Sequence, residues 1–154
     1  MLLSKGCEYG LAGAMYLASI PQKGYVPIRA ISEHLDISYP FLTKVLQQLN
    51  EAGLLTSMRG PNGGVALSQA PERLTLKEIV IAIDGPELFT ECVLGLPGCG
   101  HEKPCPLHDQ WGEVRDHLDG LFGGLSLAEA VGREADIMEG LDFPCRGRRA
   151  SPGR

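Results

Sequence analysis

Apolar residues keep a helical step through most of the first fifty positions. Leu11, Ala14, Met15 and Ala18 fall on one face between residues 7 and 19, which predicts a first helix ended by Pro21 and Gly24. Pro27 opens a short helix over Ile28–Leu35, because proline suits a first turn. After the tight link Asp36-Ile37-Ser38, Ser38 serves as an N-cap and Pro40 fits the next first turn. Leu42, Val45, Leu46 and Leu49 then repeat the i, i+3, i+4, i+7 pattern until Gly53 stops it. Two helices so closely joined read as a helix-turn-helix unit.

The pattern then changes. Leu54–Met58 and Val65-Ala66-Leu67 are short strand-like runs on either side of Arg59-Gly60-Pro61-Asn62-Gly63-Gly64, which predicts a hairpin with an arginine at its tip. Directly after a recognition helix, such a hairpin is a wing. It lacks the Lys-Ser/Thr ending and following helix of a phosphate-binding loop. Thr75-Leu76-Lys77-Glu78 is a capping box, opening a helix that turns Leu76, Ile79, Val80 and Ile83 inward and ends at Gly85-Pro86. An irregular segment follows over 86–106. Leu107, Trp111, Val114, Leu118 and Leu121 then step as an a/d stripe over two heptads. The stripe is read as a dimer seam, because a helix-turn-helix protein needs two copies to span successive turns of the major groove. Packing of that helix on its own domain is the alternative. Ser126-Leu127-Ala128-Glu129 is a second capping box, starting a short helix toward Met138.

The expected fold is mainly α with a small β-hairpin. A winged helix-turn-helix domain covers 1–85 and a cysteine-rich loop 86–106. A long dimerisation helix with a short C-terminal helix covers 107–140, and a disordered tail covers 141–154, including the basic stretch Arg146–Arg154. The expected DNA contacts are Arg29, Ser38, Tyr39, Thr43, Lys44 and Gln47 around the recognition helix, with Arg59, Asn62 and Gly63 on the wing.

Cys92, Cys99, Cys105 and His108 are spaced C-x6-C-x5-C-x2-H in a Gly/Pro-rich segment. Thiolates in this number suit zinc, copper(I) or an iron–sulfur cluster. His108 lies one helical turn past Cys105, at a helix N-terminus that also favours thiolate charge. The close C-x2-C pairs of structural zinc sites are missing. The competing reading is three free cysteines in a loop. His101 is read as solvated, Cys7 as a small buried residue, and Cys145 as an exposed thiol without function. His34 and His117 are assigned to polar faces. There is no Ser-His-Asp arrangement, no recognisable carboxylate pair and no dinucleotide fingerprint, so the chain is not expected to be an enzyme.

Charge and length refine this picture. At 154 residues with 44% hydrophobic content, the chain supports one domain with a real core. No run approaches a membrane span, and the start lacks the features of a signal peptide, so a cytoplasmic location is expected. Five cysteines in a reducing compartment argue for metal or redox chemistry over disulfides. The net charge of −5 divides unevenly: residues 1–70 hold five Lys/Arg against four Asp/Glu, and residues 71–154 hold nine against fifteen. The acidity therefore lies in the half expected to face away from DNA.

Leu3-Ser4-Lys5-Gly6-x-Glu8-Tyr9-x-Leu11, the wing Ser57-Met58-Arg59-Gly60-Pro61-Asn62-Gly63-Gly64, and Leu74-Thr75-Leu76 through Asp84-Gly85-Pro86 resemble the IscR/NsrR/CymR family of bacterial winged-helix regulators, over about residues 2 to 135. The resemblance implies a homodimeric transcription factor on a palindromic double-stranded operator. It also implies an iron–sulfur cluster that reports redox state, iron–sulfur status or nitric oxide. Cys92, Cys99 and Cys105 match the cluster cysteines, and His108 matches the histidine completing a [2Fe–2S] site. Glu8 matches an acid that in other members is donated from the partner subunit. Arg59 matches the wing arginine of the minor groove. A [2Fe–2S] cluster is favoured, [4Fe–4S] stays open, and zinc ranks behind both. The first cysteine gap is one residue longer than in IscR and NsrR, and Thr43 stands where IscR has an acid. Two further readings remain: a zinc- or thiol-based regulator on the same fold, and a metal-binding or cluster-carrier protein without operator binding.

Overall fold

Helices of eight to sixteen residues are marginal alone in water, and here they are stabilised by one shared core. The computed structural model describes residues 2–21 and 24–137. The tail 141–154 with Cys145, and the approach of the last helix to Met138, lie outside the described residues. Helix α1 (Lys5–Ser19) is capped by Ser4, whose Oγ accepts the Cys7 amide at 3.0 Å. Its inner face is made of small residues, Gly10, Ala12, Gly13 and Ala14. A Cβ on Gly10 would stand 2.1 Å from Ile83 Cδ1, so the glycine lets α1 seat closely on the helix bearing Ile83.

Helices α2 (Ile28–Leu35) and α3 (Tyr39–Glu51) are joined through Asp36, which takes the left-handed conformation at φ 54°. The buried Ser32 hydroxyl donates to the Ile37 carbonyl at 2.6 Å and fixes that corner. Ser38 does occupy the N-cap of α3, but its side chain makes no capping bond. Leu42, Val45, Leu46 and Leu49 are the buried face of α3, as their spacing predicts.

Strands β1 (Leu55–Met58) and β2 (Gly64–Leu67) pair antiparallel, with Leu55 opposite Leu67 and Met58 opposite Gly64. The other edge of β2 meets the segment before α2: Val26 and Val65 exchange two backbone hydrogen bonds of 2.9 Å. Gly64 sits where this third chain passes. Its φ is 152°, and a Cβ there would fall 2.0 Å from the Val26 carbonyl oxygen.

Helix α4 (Leu76–Asp84) carries the predicted capping box, with Thr75 and Glu78 each bonding the other's backbone amide. The segment after it is not wholly irregular: Glu87–Thr90 forms a one-turn helix, α5. Helix α6 (His108–Gly123) has no buried residue. Helix α7 (Leu127–Ile137) begins with the second predicted capping box, in which the Glu129 amide donates to Ser126 Oγ at 3.1 Å and the Ser126 amide to Glu129 Oε2 at 3.0 Å. Thr75 and Ser126 form an antiparallel bridge, with Leu127 N–H to Leu74 O at 2.8 Å and Leu76 N–H to Leu125 O at 3.1 Å. Leu127 thereby joins the core with Leu17, Ile31, Leu46, Leu74 and Ile79, and α7 packs on α1 and on the turn at 71–73.

The a/d stripe of α6 divides. Trp111 and Leu118 are half-buried, whereas Leu107, Val114 and Leu121 are 44%, 45% and 55% exposed. Gly64→Ala should destabilise the protein by about 1–3 kcal/mol in chemical denaturation, because the added methyl meets backbone that cannot yield without opening the Val26–Val65 pair. Retained stability would show that the wing is not braced there.

Candidate functional site

The loop from Glu91 to Leu107 turns at Gly95 and Gly98, both at positive φ, and brings distant thiols together. The Sγ atoms of Cys92, Cys99 and Cys105 all lie within 4.8 Å of one another. Cys92 and Cys105 are 3.6 Å apart, and His108 Nδ1 is 3.4 Å from Cys99 Sγ. His108 opens α6 and stands at the margin of the set: among the described residues, only the three thiols meet the mutual 4.8 Å spacing. His101 is exposed as expected, yet its ring meets that of His108 edge-on at 5.3 Å. Glu8 lies elsewhere, on α1, paired with Lys5 Nζ at 2.8 Å.

The thiols differ in acidity. The Leu96 backbone amide, with smaller help from Leu94, Cys105 and Cys99, favours the Cys92 thiolate and brings its pKa down to about 7. Cys105 is pushed upward, first by desolvation and then by its sulfur neighbours. Cys7, 0% exposed in the core, is pushed up to about 12 by burial and by the nearby Asp84 carboxylate.

Two residues that pattern reading placed only on a helix stripe or left unassigned hold this loop. Trp111 Nε1 donates to the Glu91 carbonyl at 2.7 Å, and Arg115 Nη1 donates to the Thr90 carbonyl at 2.5 Å and to Glu91 at 3.3 Å. Spacing cannot reveal them, since both partners are backbone atoms some twenty residues away.

A second surface is formed by α3 and the hairpin. Ser38, Tyr39, Lys44 and Gln47 are exposed along α3. Thr43 is half-buried, and its hydroxyl is engaged by the Tyr39 carbonyl at 2.8 Å. Arg29 lies 4.6 Å over the Tyr39 ring, so α2 brings a cation to the start of α3. Gln47 bonds Glu51 at 3.2 Å. Phe41, not singled out from the sequence, is also exposed, held edge-on by Tyr9 at 5.4 Å. Arg59 and Asn62 are exposed at the hairpin tip, where Gly63 N–H closes the turn on Gly60 at 2.9 Å.

A recognition helix with exposed polar side chains beside an arginine-tipped hairpin defines a winged helix-turn-helix DNA-binding regulator, a non-enzymatic class. The family profile for Rrf2, described as an iron-dependent transcriptional regulator, matches residues 3–133, and the chain belongs to that family. It is 33% identical over 157 residues to the HTH-type transcriptional regulator IscR of Photorhabdus laumondii, covering 99% of this chain and 92% of that protein. Two solved structures share the fold. CymR (YrzC), the global cysteine regulator of B. subtilis, superposes with a TM-score of 0.71 at 22% identity, over 85% of this chain and 96% of that one. T. potens IscR gives 0.71 at 21% identity, over 91% and 93%. No helix among the described residues is long and apolar enough to cross a membrane.

In metal-free protein, alkylation of Cys92 should reach half its maximal rate near pH 7, Cys105 should require a higher pH than an ordinary thiol, and Cys7 should react only after unfolding. The depressed Cys92 thiol favours the fold above its unfolded pKa, and that contribution disappears as pH falls through about 7. Peptide mapping after iodoacetamide at graded pH measures this, and equal profiles for Cys92 and Cys105 would refute the assigned environments.

Proposed function

We propose that this protein is a homodimeric transcriptional regulator whose operator affinity is set by an iron–sulfur cluster on Cys92, Cys99 and Cys105, with His108 as fourth ligand. The observation that carries the reading is the convergence of three soft sulfur donors within 4.8 Å at the start of α6. When bound, such a cluster supplies an inorganic group sensitive to redox state, iron–sulfur supply or nitric oxide. The Cys99–His108 approach of 3.4 Å supports His108 over Glu8 as fourth ligand, and an imidazole beside thiolates suits a [2Fe–2S] centre.

The remaining chemistry belongs to the chain. Leu107, Val114 and Leu121 recur every seven residues on the outside of α6, a spacing suited to pairing with a second α6. Pairing would set two recognition helices about 34 Å apart on a palindrome. The ligand set joins the segment after α5 to the N-terminus of α6, so its occupancy stiffens the link between reading head and seam. DNA and cluster then influence each other reciprocally. A thiol-switch reading has one observation in its favour, the 3.6 Å approach of Cys92 and Cys105.

Serine at Cys92, Cys99 or Cys105 should each abolish the cluster while leaving a folded dimer, read by iron and sulfide content with gel filtration. His108→Ala should alter the visible and EPR spectra of anaerobic protein; unchanged spectra beside a loss in Glu8→Ala would transfer the fourth ligand to Glu8. Colourless protein with stoichiometric zinc would favour the zinc reading, and failure of every form to bind a palindrome would favour a carrier. Arg59→Ala should weaken operator binding by about 1–3 kcal/mol at fixed salt. Unchanged affinity would remove the wing from the interface.

A further inference from the structure

Cys92 and Cys105 are thirteen residues apart in sequence, and bringing them together costs loop-closure entropy. Cys105 and His108 are tied to α6 by the chain itself. Cys92 is not, and its register with the other donors depends on what holds the backbone just before it. That backbone ends α5, whose last carbonyls have no following turn to satisfy them. Trp111 and Arg115, four residues apart on α6, donate to the carbonyls of Thr90 and Glu91, the two residues immediately before Cys92. The Arg115 side chain is drawn in far enough that its Nε is buried and makes no hydrogen bond to the described residues. A surface arginine with no task would leave that group in water. The same short helix is braced behind: Phe89 meets Phe122 at 6.0 Å, and Lys77 lies over Phe89 while pairing with Asp119.

From this geometry we infer that Trp111 and Arg115 are positioning residues that hold Cys92 in register with Cys105 and His108 before any metal arrives. The inference rests on the proposed ligand set and adds how that set is preorganised. Outer partners that orient metal ligands commonly alter metal affinity by about 10–100-fold.

The test uses full-length metal-free protein and cobalt(II) alone, titrated while the thiolate-to-cobalt charge-transfer band is followed. Trp111→Phe keeps the ring and loses the donor, and Arg115→Met keeps the aliphatic stem and loses the guanidinium. Each should weaken cobalt binding by about 10–100-fold at unchanged melting temperature, and Arg115→Lys, which retains a donor, should recover most of the loss. Without metal, hydrogen exchange at the amides of residues 92–96 should accelerate in the first two variants and not in the third. Wild-type cobalt affinity and wild-type exchange in both Trp111→Phe and Arg115→Met would overturn the inference. Absence of the band in the wild-type protein would instead sink the ligand set, and the exchange measurement then decides the clamp by itself.

Discussion

The bridge between Leu74–Leu76 and Leu125–Leu127 is the contact on which the placement of the cysteine centre depends. Helix α6 buries no residue of its own fully, so it has no core to define its position. Its C-terminal end is instead fixed because α7 returns to the head and buries Leu127 and Ala130. The two capping boxes at Thr75 and Ser126 sit on that bridge, so the amides that start α4 and α7 are satisfied where the chains meet. The N-terminal end of α6 is held differently, by hydrogen bonds to α5 and by the loop. One end is anchored through apolar burial and the other through polar contacts beside the cysteines.

The reading head has the opposite character. Small residues on α1 allow close packing against α3 and α4, and the wing is secured on its second edge by Val26. Ser4 adds a polar tie, its amide donating to Asp84 at 2.8 Å and its hydroxyl donating to the same carboxylate. Arg29 is already stacked on Tyr39, so a cation at the start of the recognition helix is placed by a ring and not left to a free side chain. If this face meets DNA as proposed, such preorganisation matters in a chain whose first seventy residues carry a charge excess of only one, five basic against four acidic side chains. Where net charge gives little general attraction to DNA, the position of each cation has greater weight.

The cysteines show how environment separates identical side chains. Cys7, enclosed by the core and facing Asp84, is held protonated with its pKa near 12. Cys92 receives loop amides and titrates near 7. The difference comes from burial against hydrogen-bond donation to the charged form, and it favours reactivity at Cys92 over Cys7.

Much of the fold was legible because its signals are local. The bounds of α2 and α3, the hairpin turn, and the capping boxes at Thr75 and Ser126 depend on neighbours within a few residues, where backbone sterics and i, i+3 hydrogen bonds decide the outcome. The three cysteines were recognisable for the same reason: a thiol carries its chemistry wherever it lies. Contacts between segments far apart in sequence leave no period to read. The Ser4–Asp84 tie spans eighty residues, Val26 pairs with Val65, and the bonds of Trp111 and Arg115 end on carbonyls that every residue possesses. The α6 stripe lies between these cases. Its spacing showed that an apolar face exists. Tertiary packing alone decided that Trp111 and Leu118 turn partly inward while Leu107, Val114 and Leu121 stay exposed, because burial depends on which surfaces the rest of the chain brings to meet them.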